Sequence, residues 1–247
     1  MTWLDHVLAT PIVGCAFKPS FQTAQDYLSA LRPLLKRWGE TADLSITAEK
    51  PMSLTIENKN GFSYSIEPDK FVVQFRYRYE LKQKPGDIVP QLSGLEVKKY
   101  SSLLENTIDE YCEAFDQIAV AESRTLGRLG IVANCRLDGE ALPPGVALFL
   151  KYLGRPWGGS LAKCQAHLLG TISESDKIKD RCHYQIDVND DRKNDVRLTL
   201  DWQRLFLSEP QVSRGKLLRE HFKKCSGDAM AYFELFGKGD LKYGDLD

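Results

Sequence analysis

The residues best suited to chemistry are a histidine and two aspartates, His183, Asp187 and Asp201. Alternating apolar residues around them predict two antiparallel strands joined by a charged turn. The register that aligns their apolar residues places Asp187 opposite Arg197 and His183 opposite Asp201, on the face turned away from the core. A His–Asp pair is suited to acid–base catalysis or to part of a metal site. The alternative is ordinary charge pairing on a solvent-facing surface.

Cysteine and histidine also occur together at Cys164 and His167, and again at Cys182 and His183. These are zinc-ligand types. On strands, however, residues 164 and 167 point to opposite faces, as do 182 and 183, so we expect no metal site. The six cysteines include no Cys-x-x-Cys pair, and scattered cysteines are typical of reduced core thiols.

A stretch of aromatic residues and arginines, "VVQFRYRYEL", occupies positions 72 to 81. Taken as a strand over 71–79, it places the aromatic residues on one face and Gln74, Arg76 and Arg78 on the other. We therefore predict a core strand with a polar outer face. If that face is open, its polar side chains could contact nucleic acid; they are Gln74, Arg76, Arg78, Asn134, Arg136 and Arg197.

A glycine-rich loop, "GRPWGGS", covers 154–160. It lacks the Gly-Lys-Ser/Thr ending of a phosphate-binding loop. Arg155 and Trp157 could form an exposed contact site for a partner, or Trp157 could fold back onto the core. The chain also lacks the common dinucleotide, kinase, hydrolase and metalloprotease motifs, so we expect no cofactor and favour a non-enzymatic protein.

Composition limits the function classes. The chain has 247 residues, of which 43% are hydrophobic and 27% charged, and its formal net charge is −1. These values are typical of a globular protein and exclude a strongly basic nucleic-acid binder, leaving only a local basic patch. We find neither the roughly 20-residue apolar run that a membrane span requires nor the features of a secretory signal. A cytoplasmic protein without a membrane partner is the expectation.

The elements that would position these residues follow from periodicity. Residues 23–39 predict a helix that is kinked at Pro33 or divided there into two shorter pieces. Asn60-Gly61 predicts a hairpin between two alternating strands, and the 71–79 strand follows. Apolar residues at helical spacing over 97–118 predict the clearest helix.

A similar order returns in the second half. Residues 128–137 alternate as a strand, and "PPGVALFLKYLG" predicts a helix ending at Gly154. Three strands follow, then a helix near 212–224 and a last one capped by Asp228 and ending at Gly237. We therefore predict an α+β fold with a pseudo-duplicated strand–helix–antiparallel strands–helix architecture. Its halves would be 1–121 and 122–247, either separate or in one continuous domain.

Three segments in this order, "YSIEPDKFVVQFRYRYE", "VKKYSSLLENTIDEYCEAF" and "RLGIVANCRL", carry a family resemblance. They resemble a sporadically distributed bacterial family of about this length and unknown function. Arg128, Gly130 and Ile131 match its Arg-x-Gly-containing strand, whereas Val132-Ala133 replace an Arg-Tyr pair and Asn134 comes one position early. The resemblance covers roughly residues 60 to 137. It implies a bacterial protein suited to defence or mobile elements, and it implies no catalytic residues.

Three functions remain open at this point. The favoured hypothesis is a non-enzymatic subunit or adaptor of a bacterial multi-protein assembly, with an anti-phage role, that binds a protein partner or a second copy of itself. The second is nucleic-acid binding on the open sheet face, since the duplicated order is similar to the saddle of TATA-box-binding proteins. The third is an acid–base or metal-assisted enzyme that uses His183, Asp187 and Asp201.

Overall fold

The computed structural model describes residues 2–18, 36, 45–50, 53–58, 60–67, 69–78, 80–82, 91–93, 97–118, 124–154, 163–189 and 195–241. One large antiparallel sheet carries helices on one face, which confirms the predicted α+β class. The predicted 23–39 helix, apart from Lys36, lies outside the described residues. So do Arg155 and Trp157.

The elements have the following bounds. The strands are β1 (Leu8–Phe17), β2 (Ser45–Lys50), β3 (Ser53–Glu57), β4 (Phe62–Glu67), β5 (Lys70–Phe75), β6 (Glu80–Lys82), β7 (Gln91–Ser93), β8 (Arg124–Asp138), β9 (Lys163–Glu174), β10 (Ile178–Asn189), β11 (Asp195–Phe206) and β12 (Gln211–Val212). The helices are α1 (Tyr100–Ile118), α2 (Pro144–Gly154) and α3 (Gly215–Lys238), and a short 3-10 turn covers Trp3–His6.

The large sheet has the strand order β2-β3-β4-β5-β1-β8-β11-β10-β9, with β12 beside the start of β8. Strands β6 and β7 form a separate hairpin. In each half, the last strand of an antiparallel meander pairs with the first strand of that half, and a helix follows. In the first half β5 pairs with β1 and α1 follows; in the second half β11 pairs with β8 and α3 follows. Because β1 also pairs β8, both halves share one continuous sheet.

The core lies between one face of this sheet and the helices. Alternate residues of the central strands are buried there, as the period of two requires, including Val13, Ile131 and Leu200. Helices α1 and α3 supply large side chains to the same core, among them Tyr111 and Phe222. Each such buried apolar side chain contributes about 1.5–3 kcal/mol.

The α1–α3 packing explains where α3 begins. Its N-cap residue, Arg214, makes no side-chain capping bond. Asp116 of α1 supplies the cap instead, because its Oδ1 accepts from the Gly215 backbone N–H at 2.7 Å. A Cβ on Gly215 would lie 2.2 Å from the Cys112 carbonyl oxygen, so glycine permits this close approach.

The prediction of two C-terminal helices is wrong, because α3 is one continuous helix. Asp228 does not cap a helix but accepts a hydrogen bond from Arg204 Nη2 at 2.7 Å. Arg204 also donates to both carboxylate oxygens of Asp180, at 2.8 and 2.7 Å. Arg204 and Asp180 are each 4% exposed, so this buried network ties α3 to β10 and β11.

Two predicted boundaries also need correction. Strand β5 ends at Phe75 instead of continuing to 79, and the Arg76 N–H donates to the Gly61 carbonyl at 2.7 Å. Val97 precedes α1 and is exposed, so it is not part of the helix stripe. Among the helices of the described residues, none has both the length and the apolar composition that a membrane span requires.

Candidate functional site

The sheet surface opposite the helices, here called the open face, carries the residues that alternate with the core. Across the four central strands it includes Thr10, Ile12, Gly14 and Ala16, Lys70, Val72 and Gln74, Arg128, Gly130, Val132, Asn134 and Arg136, and Arg197, Thr199, Asp201 and Gln203. Farther out, His183 and Asp187 continue it on β10. The candidate site lies on this face.

A groove of about 270 Å³ runs across the middle of the open face, between β5, β1, β8 and β11. This central groove has a floor of small residues, Gly14, Ala16 and Gly130. Its apolar walls are Ile12, Val72 and Val132, and its polar rim is Lys70, Arg128, Asp201 and Gln203. It therefore combines an apolar interior with charges of both signs.

The groove exists because two glycines oppose each other where the halves meet. Gly14 of β1 pairs directly with Gly130 of β8, so two neighbouring positions lack side chains. A Cβ on Gly14 would lie 3.0 Å from Val72 Cγ2, a close contact, whereas a Cβ on Gly130 would meet nothing nearer than 3.8 Å. A glycine within a strand often marks a place where another group approaches the backbone.

The polar rim forms a short relay. Arg128 Nη1 donates to Gln203 Oε1 at 3.3 Å, and Gln203 Nε2 donates to Asp201 Oδ2. Burial raises the pKa of the Asp201 carboxyl, although the Gln203 hydrogen bond and the nearby charge of Arg128 oppose that shift. The groove therefore holds a carboxylate in a partly desolvated position.

Most of the predicted binding arginines are already paired on the open face or at its margin. Arg76 lies 2.9 Å from Glu57, and Arg78 lies 3.8 Å from the same carboxylate. Arg136 and Arg197 share Asp195, at 3.0 and 3.4 Å. These carboxylates neutralise the arginines locally and reduce their attraction for phosphate.

Two cations at the groove differ from these arginines. Lys70 and Arg128 are exposed, and within the described part of the chain neither comes within ion-pair distance of a carboxylate. Both lie opposite Ala16, Lys70 across β5–β1 and Arg128 across β1–β8. The methyl group of Ala16 therefore separates two positive charges, both of which also act on Asp201 and oppose the rise of its pKa.

The structure brings together two of the three predicted catalytic residues. His183 lies directly opposite Asp201, and Asp187 lies opposite Arg197, which confirms the predicted register. His183 and Asp187, four residues apart on one strand, are separated by roughly 13 Å. Asp187 therefore lies outside the His183–Asp201 pair.

A second histidine, His167, lies near the His183–Asp201 pair. The ring of His167 on β9 lies 5.7 Å from that of His183. Among the described residues, no hydrogen bond joins His183 to Asp201, whose Oδ2 instead accepts from Gln203. A general base normally needs such a directional contact, either direct or through one water.

The other chemically reactive side chains are enclosed. Five of the six free cysteines are buried and Cys164 is half-buried. Burial raises the pKa of Cys112 and of Cys225 to about 12, which keeps these thiols protonated and poorly nucleophilic. Across the ranges that the structure describes, no group of three His, Cys, Asp or Glu residues could hold a metal ion.

The central groove was not among the sites predicted from the sequence. The available signal was the pair of glycines inside alternating strands, Gly14 and Gly130. Comparison of the chain with protein-family models, with curated proteins and with solved structures found no match. The family resemblance of residues 60–137 therefore stays an expectation.

Proposed function

We propose that this protein is a non-enzymatic subunit or adaptor that binds a protein partner through its open face. The central groove is the observation that carries the proposal. It places an apolar interior inside a polar rim, which is the usual anatomy of a protein interface. A role in a bacterial anti-phage assembly is the setting that the family resemblance suggests for such an adaptor.

The paired arginines favour a protein partner over nucleic acid. A phosphate-tracking surface needs cations that can release counterions. On this face Arg76, Arg136 and Arg197 each have a carboxylate within 3.4 Å. The open face is therefore of mixed charge, which suits the rim of a protein interface.

The side-chain chemistry supports a non-enzymatic role. The raised pKa of the buried thiols argues against cysteine nucleophiles. The carboxylate of Asp201 is held by Gln203 instead of orienting His183. The relay of Arg128, Gln203 and Asp201 therefore serves better as a set of recognition groups than as an acid–base pair.

Copurification from cells of the source organism tests the proposal. Gly130→Val should fill the groove, and its Cβ has room because the nearest atoms lie 3.8 Å away. The matched control is Gly170→Val on β9, where a Cβ meets nothing within 4 Å. We expect a protein partner that copurifies with the wild type and the control but is lost with Gly130→Val. Equal recovery with all three proteins would contradict the proposal.

The nucleic-acid alternative has its own measurement, fluorescence anisotropy with duplex and single-stranded oligonucleotides at two salt concentrations. We expect no binding below about 100 μM at physiological salt, the weak end of non-specific affinity. Tight, salt-sensitive binding that is lost in the Arg76→Ala, Arg78→Ala double variant would replace the adaptor proposal with the nucleic-acid one.

A further inference from the structure

We infer that the central groove recognises the carboxyl terminus of the partner protein, with the terminal carboxylate between Lys70 and Arg128 and an apolar last side chain on the glycine floor. This inference rests on the proposed adaptor function and names the element of the partner that is bound. It differs from general docking because it requires a free α-carboxylate.

The two cations carry the first part of the inference. Lys70, Ala16 and Arg128 occupy one row across three adjacent strands. Strands are spaced about 4.8 Å apart, so the backbones of the two cationic residues are roughly 10 Å apart. Long side chains across this gap can converge on one carboxylate above the Ala16 methyl group. Charge-assisted hydrogen bonds from lysine and arginine are the usual way to bind such a group.

The glycine floor of the central groove supports the second part of the inference, the binding of an apolar last side chain. Gly14 and Gly130 form the next row along the sheet, flanked by Val72. At about 270 Å³, the groove is smaller than the roughly 300–1,000 Å³ of typical small-molecule pockets. It therefore suits one apolar side chain of a larger partner better than a whole cofactor.

The remaining rim residues fit the amide of the same terminal residue. Gln203 lies opposite Gly130, in the same row as the two glycines. Asp201 lies opposite Val132, in the next row of the sheet. A carboxylate at this corner can accept a backbone N–H from the peptide, while the cations hold its carboxyl end. The groove thus has cations on one side of its glycine floor and a carboxylate on the other. These charges match the terminal carboxylate and the backbone N–H of a peptide's last residue.

A titration of the full-length ¹⁵N-labelled protein tests the inference. The probes are acetyl-Ala-Ala-Leu with a free carboxylate and the same peptide as its C-terminal amide. We expect the acid to shift the backbone signals of Gly14 and Gly130 and to bind at least about tenfold more tightly than the amide, since one charge-assisted contact is worth about that factor.

Arg128→Gln should reduce the affinity for the acid by about tenfold and leave the amide unchanged. Arg136→Gln, on the same strand but outside the groove, is the matched control and should change neither. If Arg128→Gln alters the spectrum as a whole, Lys70→Gln replaces it and the same loss is expected.

Two outcomes would overturn the inference. Equal binding of acid and amide would show that the carboxylate is not recognised. Absence of shifts at Gly14 and Gly130 up to about 10 mM peptide, roughly ten times the concentration that half-saturates a millimolar complex, would show that the groove does not bind this terminus. Either result leaves the adaptor proposal intact if Gly130→Val still abolishes copurification, so the two failures are distinguishable.

Discussion

Asp201, on the rim of the central groove, differs from an ordinary surface carboxylate. It lies on the open face of the sheet, which carries polar residues. Even so, burial has the largest effect on its ionisation and raises its pKa above the ordinary value of 3.8. The folded protein therefore holds the Asp201 proton more tightly than the unfolded chain does. Ionised Asp201 lowers stability at neutral pH, as residues kept for function often do.

The raised pKa of Asp201 predicts the effect of Asp201→Asn. The variant should unfold at a higher denaturant concentration at pH 7, because it removes a carboxylate whose ionised form disfavours folding. The gain should shrink as the pH falls through the folded pKa and be small below about 3.8, where the wild-type group is protonated in both states. Denaturant melts over this pH range check it.

Asp187→Asn, on the same face but outside the groove, serves as the control and should change stability at pH 7 by no more than about 0.5 kcal/mol, as a surface substitution. A lower stability of Asp201→Asn at pH 7 would mean that nearby positive charges affect the Asp201 carboxylate more than burial does.

Phe75 and Arg76 test the assignment of faces at the end of β5. Phe75 is 6% exposed and packs against Phe62 and Tyr77. Phe75→Ala should destabilise by about 3–5 kcal/mol, the cost of emptying a buried aromatic site. Arg76→Ala should cost no more than about 1 kcal/mol, because its ion pair with Glu57 is exposed. Similar costs in denaturant melts would show that the two side chains do not lie on opposite faces.

Among the secondary-structure elements, strand pairing determines the effect of a substitution. Gly130→Ala should be neutral or stabilise by up to about 1 kcal/mol, since glycine in a strand is entropically costly and the new methyl group has room. Gly14→Ala should destabilise, because its Cβ would be 3.0 Å from Val72 Cγ2 and 3.3 Å from the Phe71 carbonyl oxygen. Thermal melts of both variants give the comparison. A Gly130→Ala protein that is the less stable of the two would contradict the groove geometry.

The Arg204 network predicts a second contrast between elements. Arg204→Ala would leave Asp180 buried without its partner, so we expect a loss of about 3–5 kcal/mol. Arg219→Ala, which removes an exposed ion pair with Asp109 between α1 and α3, should cost about 1 kcal/mol or less. Chemical denaturation measures both. Equal, small costs would show that α3 is not attached to the sheet through Arg204.

Element patterns explain which features the sequence could predict. The β10–β11 register followed from alternating apolar residues, because a shift by one position would expose the core face. The break predicted within α3 was wrong since Asp228 is a helix-capping residue type whose carboxylate binds Arg204, a tertiary contact that local sequence does not encode. The sequence shows Gly14 and Gly130 within alternating strands, but the groove between them could not be located because it depends on β1 pairing with β8, two strands far apart in the chain.

On the scale of the whole molecule, the two halves build one surface. The first strands of the halves, β1 and β8, meet at the centre, so the open face continues from one half into the other. The N-terminal turn also joins distant elements, because Trp3 Nε1 donates to the Phe233 carbonyl at 2.7 Å and Asp5 Oδ1 accepts from the Ser101 N–H at 2.9 Å. Helices α1 and α3 are thereby held on the covered face, and among the described residues no helix lies on the opposite face.

Site-specific photo-crosslinking in cells of the source organism tests the central claim, that the open face binds a protein, most directly. A photoreactive amino acid would replace Thr199 on the open face or, as the control, Lys224 on the exposed side of α3. We expect a crosslinked protein from position 199 that disappears when Gly130→Val is added, and no such product from position 224. Crosslinks to nucleic acid from position 199, or a protein crosslink from position 224 alone, would contradict it.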